Sequence, residues 1–382
     1  MLISILALTM CSNAAKGAER KRVLSDELVR ETVESAAGNP LMIKFRNGEI
    51  DLARAIGRDP QPSSSNHFRI LSVAPDRWFD RDFRIQSRDI NLDTGKRRGA
   101  YLAAELGRSQ ILLDAEEGNL RRNLHRSLAD LTLWREEMRI IEEDLAWLGT
   151  MIGLKEDRFK VRQPRHNELM ALQNGRSLQE ALLLNASNQV SLAKFRVLRL
   201  LNVAESPLTK SVILPRPYGV PAFNTNLVAA AALQNFEIRL LTNAMDLAAI
   251  EYSDTGLVSK SGQKAPSGIL RSLQYRIEDS RSRLSEQVLE FLVEIGNTGR
   301  LIGVYRDEIQ LRGQESVASS MSLWEVNRGS LDEVLEERRK LIGDQLELAR
   351  HIVHQQKLLA DLLYVTGAAT LKELIVRSRR IR

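Results

Sequence analysis

The chain has 382 residues, of which 43% are hydrophobic, 27% charged and only 5% aromatic, a composition typical of long helices and unlike that of a disordered chain. The single cysteine excludes a disulfide framework and a cysteine-based zinc site. The formal net charge of +6 permits anionic partners but requires none, and no apolar run reaches the roughly 18 residues of a membrane-spanning helix.

The N-terminal segment, residues 1–20, begins with an apolar run that ends at Met10 and is followed by small and polar residues. Its length and small-residue border predict an export signal, although the usual basic start is missing; the alternative is the frayed beginning of a helix. Cys11 stands where a bacterial lipoprotein would be lipidated, but Met10 is bulkier than the residue that such processing normally requires. Cys11 is therefore a candidate lipidation position.

Proline is absent from two long stretches of the chain, residues 76–163 and 267–382. Proline inside a helix costs about 3 kcal/mol, so these stretches can hold very long helices. In the first stretch, apolar residues follow alternating steps of three and four: Leu120, Leu124, Leu131, Trp134, Met138, Ile141, Leu145, Leu148 and Ile152, with Ser127 at the one polar position. In the second, a series repeats every seven residues: Val334, Leu341, Leu348, Gln355 and Leu362. Both patterns predict coiled-coil helices, each of which needs an antiparallel neighbour.

The sequence also repeats itself in register. One constant offset relates Asn39 to Asn235, Asn47 to Asn243 and Ala53 to Ala249. Further on, residues 158–203 align without gaps with residues 323–368. We therefore predict a mainly α fold of two structural repeats, about 21–203 and 225–368, joined by a proline-rich linker at 204–224.

Each repeat is expected to contain a short helix, a β segment and a long antiparallel helical hairpin. The expected positions are about 66–92 and 256–277 for the β segments, and near 162 and 327 for the hairpin tips. In the second β segment, Leu273, Tyr275 and Ile277 alternate with polar residues, as in a half-buried strand. The basic end, residues 369–382, is predicted to be a solvated tail; the alternative is contact with nucleic acid or anionic lipid.

Five segments, taken in order, carry a resemblance to a known family. They are Leu24-Ser25-Asp26-Glu27-Leu28 leading to Asn39-Pro40, Gly95-Lys96-Arg97-Arg98 before a long helix, Arg158-Phe159 before Arg162, Trp324-Glu325-Val326-Asn327 before Ser330 and Glu333, and the ending at 358–367. This ordered set resembles the TolC-like outer-membrane efflux proteins, in a shortened and divergent form. The likeness covers about residues 25–368.

The resemblance implies a homotrimer that extends from the outer membrane into the periplasm. Each chain would supply two β-hairpins to one outer-membrane barrel, and the long helices would form a periplasmic tunnel. The hairpin tips would meet a periplasmic adaptor protein that is joined to an inner-membrane pump. The chain would then conduct solutes passively, without a cofactor or any chemistry of its own.

The resemblance assigns adaptor docking to the two hairpin tips. The residues are Arg158, Phe159 and Arg162 in the first tip, and Trp324, Val326, Asn327, Gly329 and Ser330 in the second. A tip must reverse the chain within a few residues, so glycine or asparagine is favoured where φ is positive. Asn327 occupies that place in the second tip, whereas Arg162 occupies it in the first, where it is less easily accommodated.

Two carboxylates follow the second tip. Glu333 and Glu336 are three residues apart and therefore share one face of a helix. The resemblance implies that they line the tunnel aperture, where three copies would form a negative ring that favours cations. The alternative is a solvated face on which these residues pair with neighbouring arginines and Lys340.

The sequence contains no Gly-rich phosphate loop, no Gly-x-Ser-x-Gly elbow and no His-Glu-x-x-His, so no enzyme class is indicated. His351 and His354 have a spacing that could bind a metal, but no third ligand is evident and we expect no metal site. One alternative function is a periplasmic coiled-coil scaffold or adaptor-like protein that has lost the membrane barrel. Another is a cytoplasmic coiled-coil protein that binds nucleic acid, which requires that residues 1–15 are not removed; an exported protein would meet no nucleic acid.

Overall fold

The computed structural model describes residues 22–36, 38–58, 67–77, 80–91, 95–159, 166–215, 225–252, 264–326 and 328–380. The first repeat contains β1 (Arg22–Val23), α1 (Asp26–Ser35), α2 (Leu41–Arg58), β2 (His67–Arg77), β3 (Asp80–Asn91), α3 (Gly95–Phe159) and α4 (His166–Leu201). The connection contains α5 (Leu208–Ser211) and β4 (Val212–Ile213). The second repeat contains α6 (Thr225–Gln234), α7 (Phe236–Tyr252), α8 (Lys264–Val304), a π-helical turn (Tyr305–Ile309), α9 (Gln310–Glu325) and α10 (Leu331–Val365), and α11 (Leu371–Arg380) follows.

The longest helix, α3, has 65 residues and is therefore about 100 Å long. Its predicted apolar seam is buried at Leu124, Leu131 and Leu148. The chain then reverses direction, and α4 packs along α3 as the predicted antiparallel neighbour. The prediction of long helical hairpins is confirmed.

The long helices α4 and α10 end in the same way. The chain turns at Asn202, with φ 52°, and at Gly367, with φ 64°. In each case the next N–H donates to the carbonyl five residues earlier, at 3.2 Å after α4 and 3.0 Å after α10, which is a Schellman-type cap. The two caps are related by the same offset as the aligned segments 158–203 and 323–368. The two predicted repeats are therefore present in the backbone.

Each cap is also tied to the joint between the two short helices of its own repeat. In the first repeat, the side-chain amide of Asn202 donates to the carbonyl of Asn39 at 2.9 Å. In the second, the side-chain amide of Asn235 donates to the carbonyl of Val365 at 2.8 Å. Asn39 and Asn235 are related by the sequence repeat, but Asn39 accepts through its backbone and Asn235 donates through its side chain, so the two hairpins are closed at the same place by opposite hydrogen bonds.

The long helices lie side by side in the order α4, α3, α10 and α8, and α9 continues the last of them along α10. Helices α1 and α2 pack on α3 at one end of this layer, and α7 packs on both α3 and α8. Apolar cores form beneath these short helices in each repeat. Among the described elements, α4 packs extensively only on α3. Helices α4 and α8 are therefore the two edges of the layer.

The β segment predicted at 256–277 is wrong from Lys264 onward, because α8 begins there. Residues 253–263, the first part of that prediction, lie outside the described residues. Pro266 does not prevent the helix, since proline is tolerated in a first helical turn, where its missing N–H would have no partner.

A helical pattern outweighs the short alternation in this region. Ile277, Ser280 and Leu284 are buried at steps of three and four, and Val288 continues the series. Tyr275, which the strand pattern placed on the same face as Ile277, is exposed. The alternation spans three positions, whereas the helical period extends along the whole of α8, so the helix buries more apolar surface.

The basic C-terminal segment is not the solvated tail that was predicted. Residues 371–380 form α11, which packs on α6, and Leu374 is buried in the core of the second repeat. The Leu371 N–H donates to Asp26 Oδ2 at 2.7 Å, which joins this helix to the first repeat. In the described part of the linker, residues 204–215, β4 pairs in parallel with β1. The basic composition of this segment gave no indication that α11 has an apolar face.

Strands β2 and β3 form an antiparallel hairpin in which Phe68 lies opposite Ile90 and Val73 opposite Ile85. The strands have 11 and 12 residues. Within the described residues, each pairs only with the other.

Candidate hairpin tips and assembly edges

The two hairpin tips pack against each other in one apolar cluster. Its buried members are Leu148, Met151, Ile152 and Leu172 from the first hairpin, and Trp324, Leu331, Val334 and Leu335 from the second. The predicted seam of α3 supplies Leu148 and Ile152, and the predicted series of α10 supplies Val334. The tips of the two repeats therefore form one packed end of the layer.

Two cations join the hairpins at this end. Lys155 on α3 forms an ion pair with Glu168, and its ammonium lies 4.9 Å from the centre of the Trp324 ring. Arg338 on α10 donates from Nε to Asp144 Oδ1 at 2.9 Å. Its guanidinium also lies 5.3 Å from the centre of the Trp147 ring. Each cation thus contacts a carboxylate and an aromatic face, and both contacts are attractive.

The second tip is closed by backbone hydrogen bonds. The N–H groups of Arg328 and Gly329 both donate to the carbonyl of Leu323, at 2.8 and 3.1 Å. Trp324 is only 4% exposed, whereas Val326 is 61% exposed and projects from the tip. The tip therefore has one anchored aromatic residue and one apolar residue available for contact.

Helix α10 begins with a capping box. The Ser330 hydroxyl accepts from the Glu333 N–H at 3.2 Å, and the Glu333 carboxylate accepts from the Ser330 N–H at 3.1 Å. Glu336 pairs with Lys340 at 3.0 Å. Glu337 also binds Lys340, and hydrogen bonds from Lys340 and then Ser316 hold the pKa of Glu337 below its usual range. Both predicted aperture carboxylates are exposed and have partners within the chain.

The remaining predicted positions are only partly described. Arg158 and Phe159 form the C-terminal end of α3, but their side chains lie outside the description. Arg162 and Asn327 lie outside the described residues, as does Cys11. Gly329 follows the second tip and approaches Leu323 so closely that a Cβ there would lie 3.1 Å from the Leu323 Cβ.

Helix α4 presents an apolar stripe on the side away from α3. Leu178, Leu192 and Arg199 are separated by multiples of seven residues and share one face of a coiled-coil helix. Leu192 is 52% exposed and Phe195, one turn further, is 64% exposed. Ala193 and its heptad equivalents hold the opposite, buried face. The outer face of α4 therefore offers apolar surface that nothing in the described chain covers.

Helix α8 presents a second stripe at the other edge of the layer. Val293 is 52% exposed, and Glu286 shares its face seven residues earlier. Val304 is exposed on a neighbouring position. Val288 and Ile295, also seven residues apart, are buried on the opposite face. Both edges of the layer thus combine exposed apolar residues with charges.

Between the edges, α3 and α10 are joined by paired charges. Asp130 on α3 binds Lys357 at 2.6 Å, and Asp361 on α10 accepts from Arg126 at 2.8 Å. His125 lies in the same seam, almost fully buried, with Nε2 3.1 Å from the side-chain oxygen of Gln356. Burial lowers the pKa of His125, and the hydrogen bond with Gln356 opposes this only in part. These charges of the inner seam are therefore paired within one chain.

The edge residues lie outside the predicted apolar series. Those series mark the faces that pack inside a hairpin, and a second series on the opposite face was not predicted. In α4 that signal was present, since Leu178, Leu192 and Arg199 are separated by multiples of seven residues. A helix with apolar residues on two faces can pack on two sides, and among the described elements α4 packs extensively only on α3.

No family model matches the sequence, and no curated protein matches it either. Solved structures do match. The outer membrane protein VceC from Vibrio cholerae aligns over 90% of this chain and 96% of its own, with 11% identity and a TM-score of 0.62. The CmeC outer membrane channel of Campylobacter jejuni aligns over 93% and 90%, with 11% identity and a TM-score of 0.63. The MtrE outer membrane channel of Neisseria gonorrhoeae aligns over 89% of both chains, with 12% identity and a TM-score of 0.63.

The chain has the TolC-like fold. This confirms the predicted fold class of long helical hairpins, and at these identities the likeness concerns the fold alone. Among the described residues, no helix of this TolC-like chain is both long and apolar enough to cross a bilayer. Nor do the described residues include a group of three or more His, Cys, Asp or Glu that could hold a metal ion.

Proposed function

We propose that this chain is the outer-membrane conduit of an export system and that three copies close into a ring around a passive channel. One observation carries the proposal: the four-helix layer ends in exposed apolar edges on α4 and α8 that no other described element covers. Exposed apolar surface of this kind marks an interaction site. Since the two edges differ, copies join head to tail, and such contacts close into a ring where the rotation between copies permits it. The TolC-like fold supports the same assembly.

We assign the β2–β3 hairpin to the outer membrane. Strands of 11 and 12 residues reach the length of about 9–11 residues that a tilted strand needs to cross the hydrocarbon layer. The hairpin follows α2 and precedes α3, so it lies at the end of α3 that is opposite the tips. The tips then extend into the periplasm.

The packed tips are the proposed contact for a periplasmic adaptor that is joined to an inner-membrane pump. Leu323 and Val326 on the second tip, and Leu154 and Met170 near the first, are exposed apolar residues at this end. Glu333 and Glu336 are exposed on the same helix and are proposed to line the aperture. The pump supplies energy and selects the substrate, and this chain supplies the path.

Planar-bilayer recordings on the purified assembly test this function. We expect discrete conducting steps, and we expect Glu333→Gln combined with Glu336→Gln to lower cation over anion permeability. Glu347→Gln, a matched change on α10 away from the tip, should leave that ratio unchanged. Assembled trimers that insert into the bilayer and carry no current would contradict the conduit.

A second function is favoured by one specific observation. The second β segment expected of a TolC-like chain is replaced from Lys264 onward by helix α8, which leaves one described β-hairpin in the chain. This favours a periplasmic coiled-coil scaffold that has kept the helices and lost the pore. Fractionation separates the two functions, because the conduit should appear in detergent-extracted outer membrane and the scaffold in the soluble periplasmic fraction.

A further inference from the structure

Four charged side chains at the edges of the layer have no partner in the described chain. Arg196 and Arg199 are exposed on α4, and Glu286 and Glu290 are exposed on α8. None of the four forms an ion pair or a hydrogen bond with a described residue. In the inner seam between α3 and α10, by contrast, charges of both signs are paired. The described part of a single chain therefore does not pair these four edge charges.

These charges accompany the exposed apolar stripes. Arg199 continues the heptad series of Leu192 on α4, and Arg196 lies one turn before it. Glu286 precedes Val293 by seven residues on α8, and Glu290 lies one turn before Val293. Each edge helix thus exposes an apolar residue beside two charges of the same sign. These charges are positive on α4 and negative on α8.

Contacts across the layer show that the two charge pairs lie at the same height. Lys155 pairs with Glu168, so the antiparallel course of α3 and α4 places Arg196 level with the part of α3 that contains Arg126. Arg126 binds Asp361 on α10.

On α10, Asp361 lies two turns beyond His354, which pairs with Glu294 on α8 at 3.0 Å. Helices α8 and α10 are antiparallel, so two turns back along α8 lies the segment that holds Glu286 and Glu290. The basic pair on one edge and the acidic pair on the other are therefore level.

We propose that Arg196 and Arg199 of one copy pair with Glu286 and Glu290 of the next copy, and that these pairs fix the order and the height at which copies join. The inference rests on the proposed ring. The apolar residues beside the charges, Leu192 and Val293 among them, supply most of the affinity. Charge pairs at an interface contribute mainly specificity, because like charges brought together there are strongly disfavoured.

Charge reversal tests the pairing. One variant carries Arg196→Glu with Arg199→Glu, and the other carries Glu286→Lys with Glu290→Lys, so each has like charges on both of its edges. We expect each variant to require at least about tenfold higher concentration to assemble, and the chain with all four changes to return within about threefold of the wild type. Sedimentation and native mass spectrometry in detergent provide the measurement.

Two controls make the result specific. Glu142→Lys with Glu143→Lys makes the same change in charge on α3, inside the layer, and should assemble normally. Circular dichroism should show unchanged helix content in all variants. If the four-change chain assembles as poorly as the two-change chains, or if the two-change chains assemble normally, the pairing is wrong.

Mixing the two variants adds a stricter test. Each can join the other, but a ring of three cannot alternate two kinds of copy, so one junction always brings like charges together. We expect the mixture to give open assemblies or rings with an even number of copies, whereas the four-change chain closes at three. A closed ring of three from the mixture would overturn the pairing. A wild-type chain that never assembles would instead reject the proposed conduit, so the two failures are distinguishable.

Discussion

Apolar residues and charges occur both in the inner seam between α3 and α10 and at the outer edges on α4 and α8. In the seam they are paired or buried within the chain, whereas at the edges they are exposed. In the inner seam, Asp144 binds Arg338 and Asp130 binds Lys357, with apolar residues buried around them. At the edges, apolar residues such as Leu192 and charges such as Arg199 remain exposed. In the proposed assembly, folding of one chain therefore depends on the inner seam, and association depends on the edges.

The largest effect on the stability of the single chain is expected from Arg338→Ala. Asp144 is almost fully buried, so loss of its partner leaves a buried charge without compensation and should lower the free energy of unfolding by about 3 kcal/mol. Urea unfolding of a chain kept monomeric by edge substitutions provides the measurement. A loss below about 0.5 kcal/mol would mean that the inner seam does not govern folding.

Gly367→Ala should have the next largest effect, because two costs combine. The residue has φ 64°, and a Cβ would lie 2.3 Å from the carbonyl oxygen of Gln234. We expect a loss of about 2 kcal/mol or more. Asn202→Ala, at the equivalent cap of the first repeat, is the matched change and should cost about 1 kcal/mol. Equal losses at the two caps would show that the close approach to Gln234 is not maintained in solution.

Acid should weaken the inner seam through His125. Its folded-state pKa is lowered by burial, opposed by the Gln356 hydrogen bond and by the charges of Asp26 and Asp361. A lowered pKa means that the stabilising contribution is present above the unfolded pKa of about 6.5 and is lost as the pH falls, by at most about 1.4 kcal/mol per pH unit.

The chain should therefore lose stability between pH 7 and pH 5.5, as measured by thermal unfolding. His125→Gln removes the titrating group and should flatten the profile in this range. Phe195→Gln, at an exposed edge position, is the control and should leave the pH dependence unchanged. A variant at His125 with the same acid sensitivity as the wild type would contradict this role.

The smallest effect on unfolding is expected at the edges. Leu178→Ser with Leu192→Ser should change the free energy of unfolding of the monomer by less than about 0.5 kcal/mol, because both side chains are already exposed. The same changes should weaken assembly at least about tenfold, which corresponds to about 1.4 kcal/mol. If these changes destabilised the monomer but left assembly normal, the edges would govern folding rather than association, and the assignment of the two regions would be wrong.

The sequence predicted the parts of the fold that rest on a long period. The seam through Leu124, Leu131 and Leu148 led to α3, and the alignment of 158–203 with 323–368 anticipated the matching caps at Asn202 and Gly367. These features extend over many turns, so single exceptions do not obscure them.

Short patterns were less reliable. Three alternating residues around Tyr275 suggested a strand where α8 runs, and a basic composition concealed the apolar face of α11 around Leu374. Both errors arise because tertiary burial decides the structure of a short segment, and burial depends on partners that a local pattern does not contain. The edges were missed for a related reason, since no described residue packs on them.

Cysteine cross-linking between the edges tests the central claim most directly. Leu192→Cys on α4 and Val293→Cys on α8 place one thiol on each edge at about the same height, in a chain whose single natural cysteine is changed by Cys11→Ser. With a short bifunctional maleimide, we expect covalent dimers and trimers and no larger species, because a closed ring of three has no free edge. A ladder that continues beyond three copies, or monomers alone, would contradict ring closure through α4 and α8.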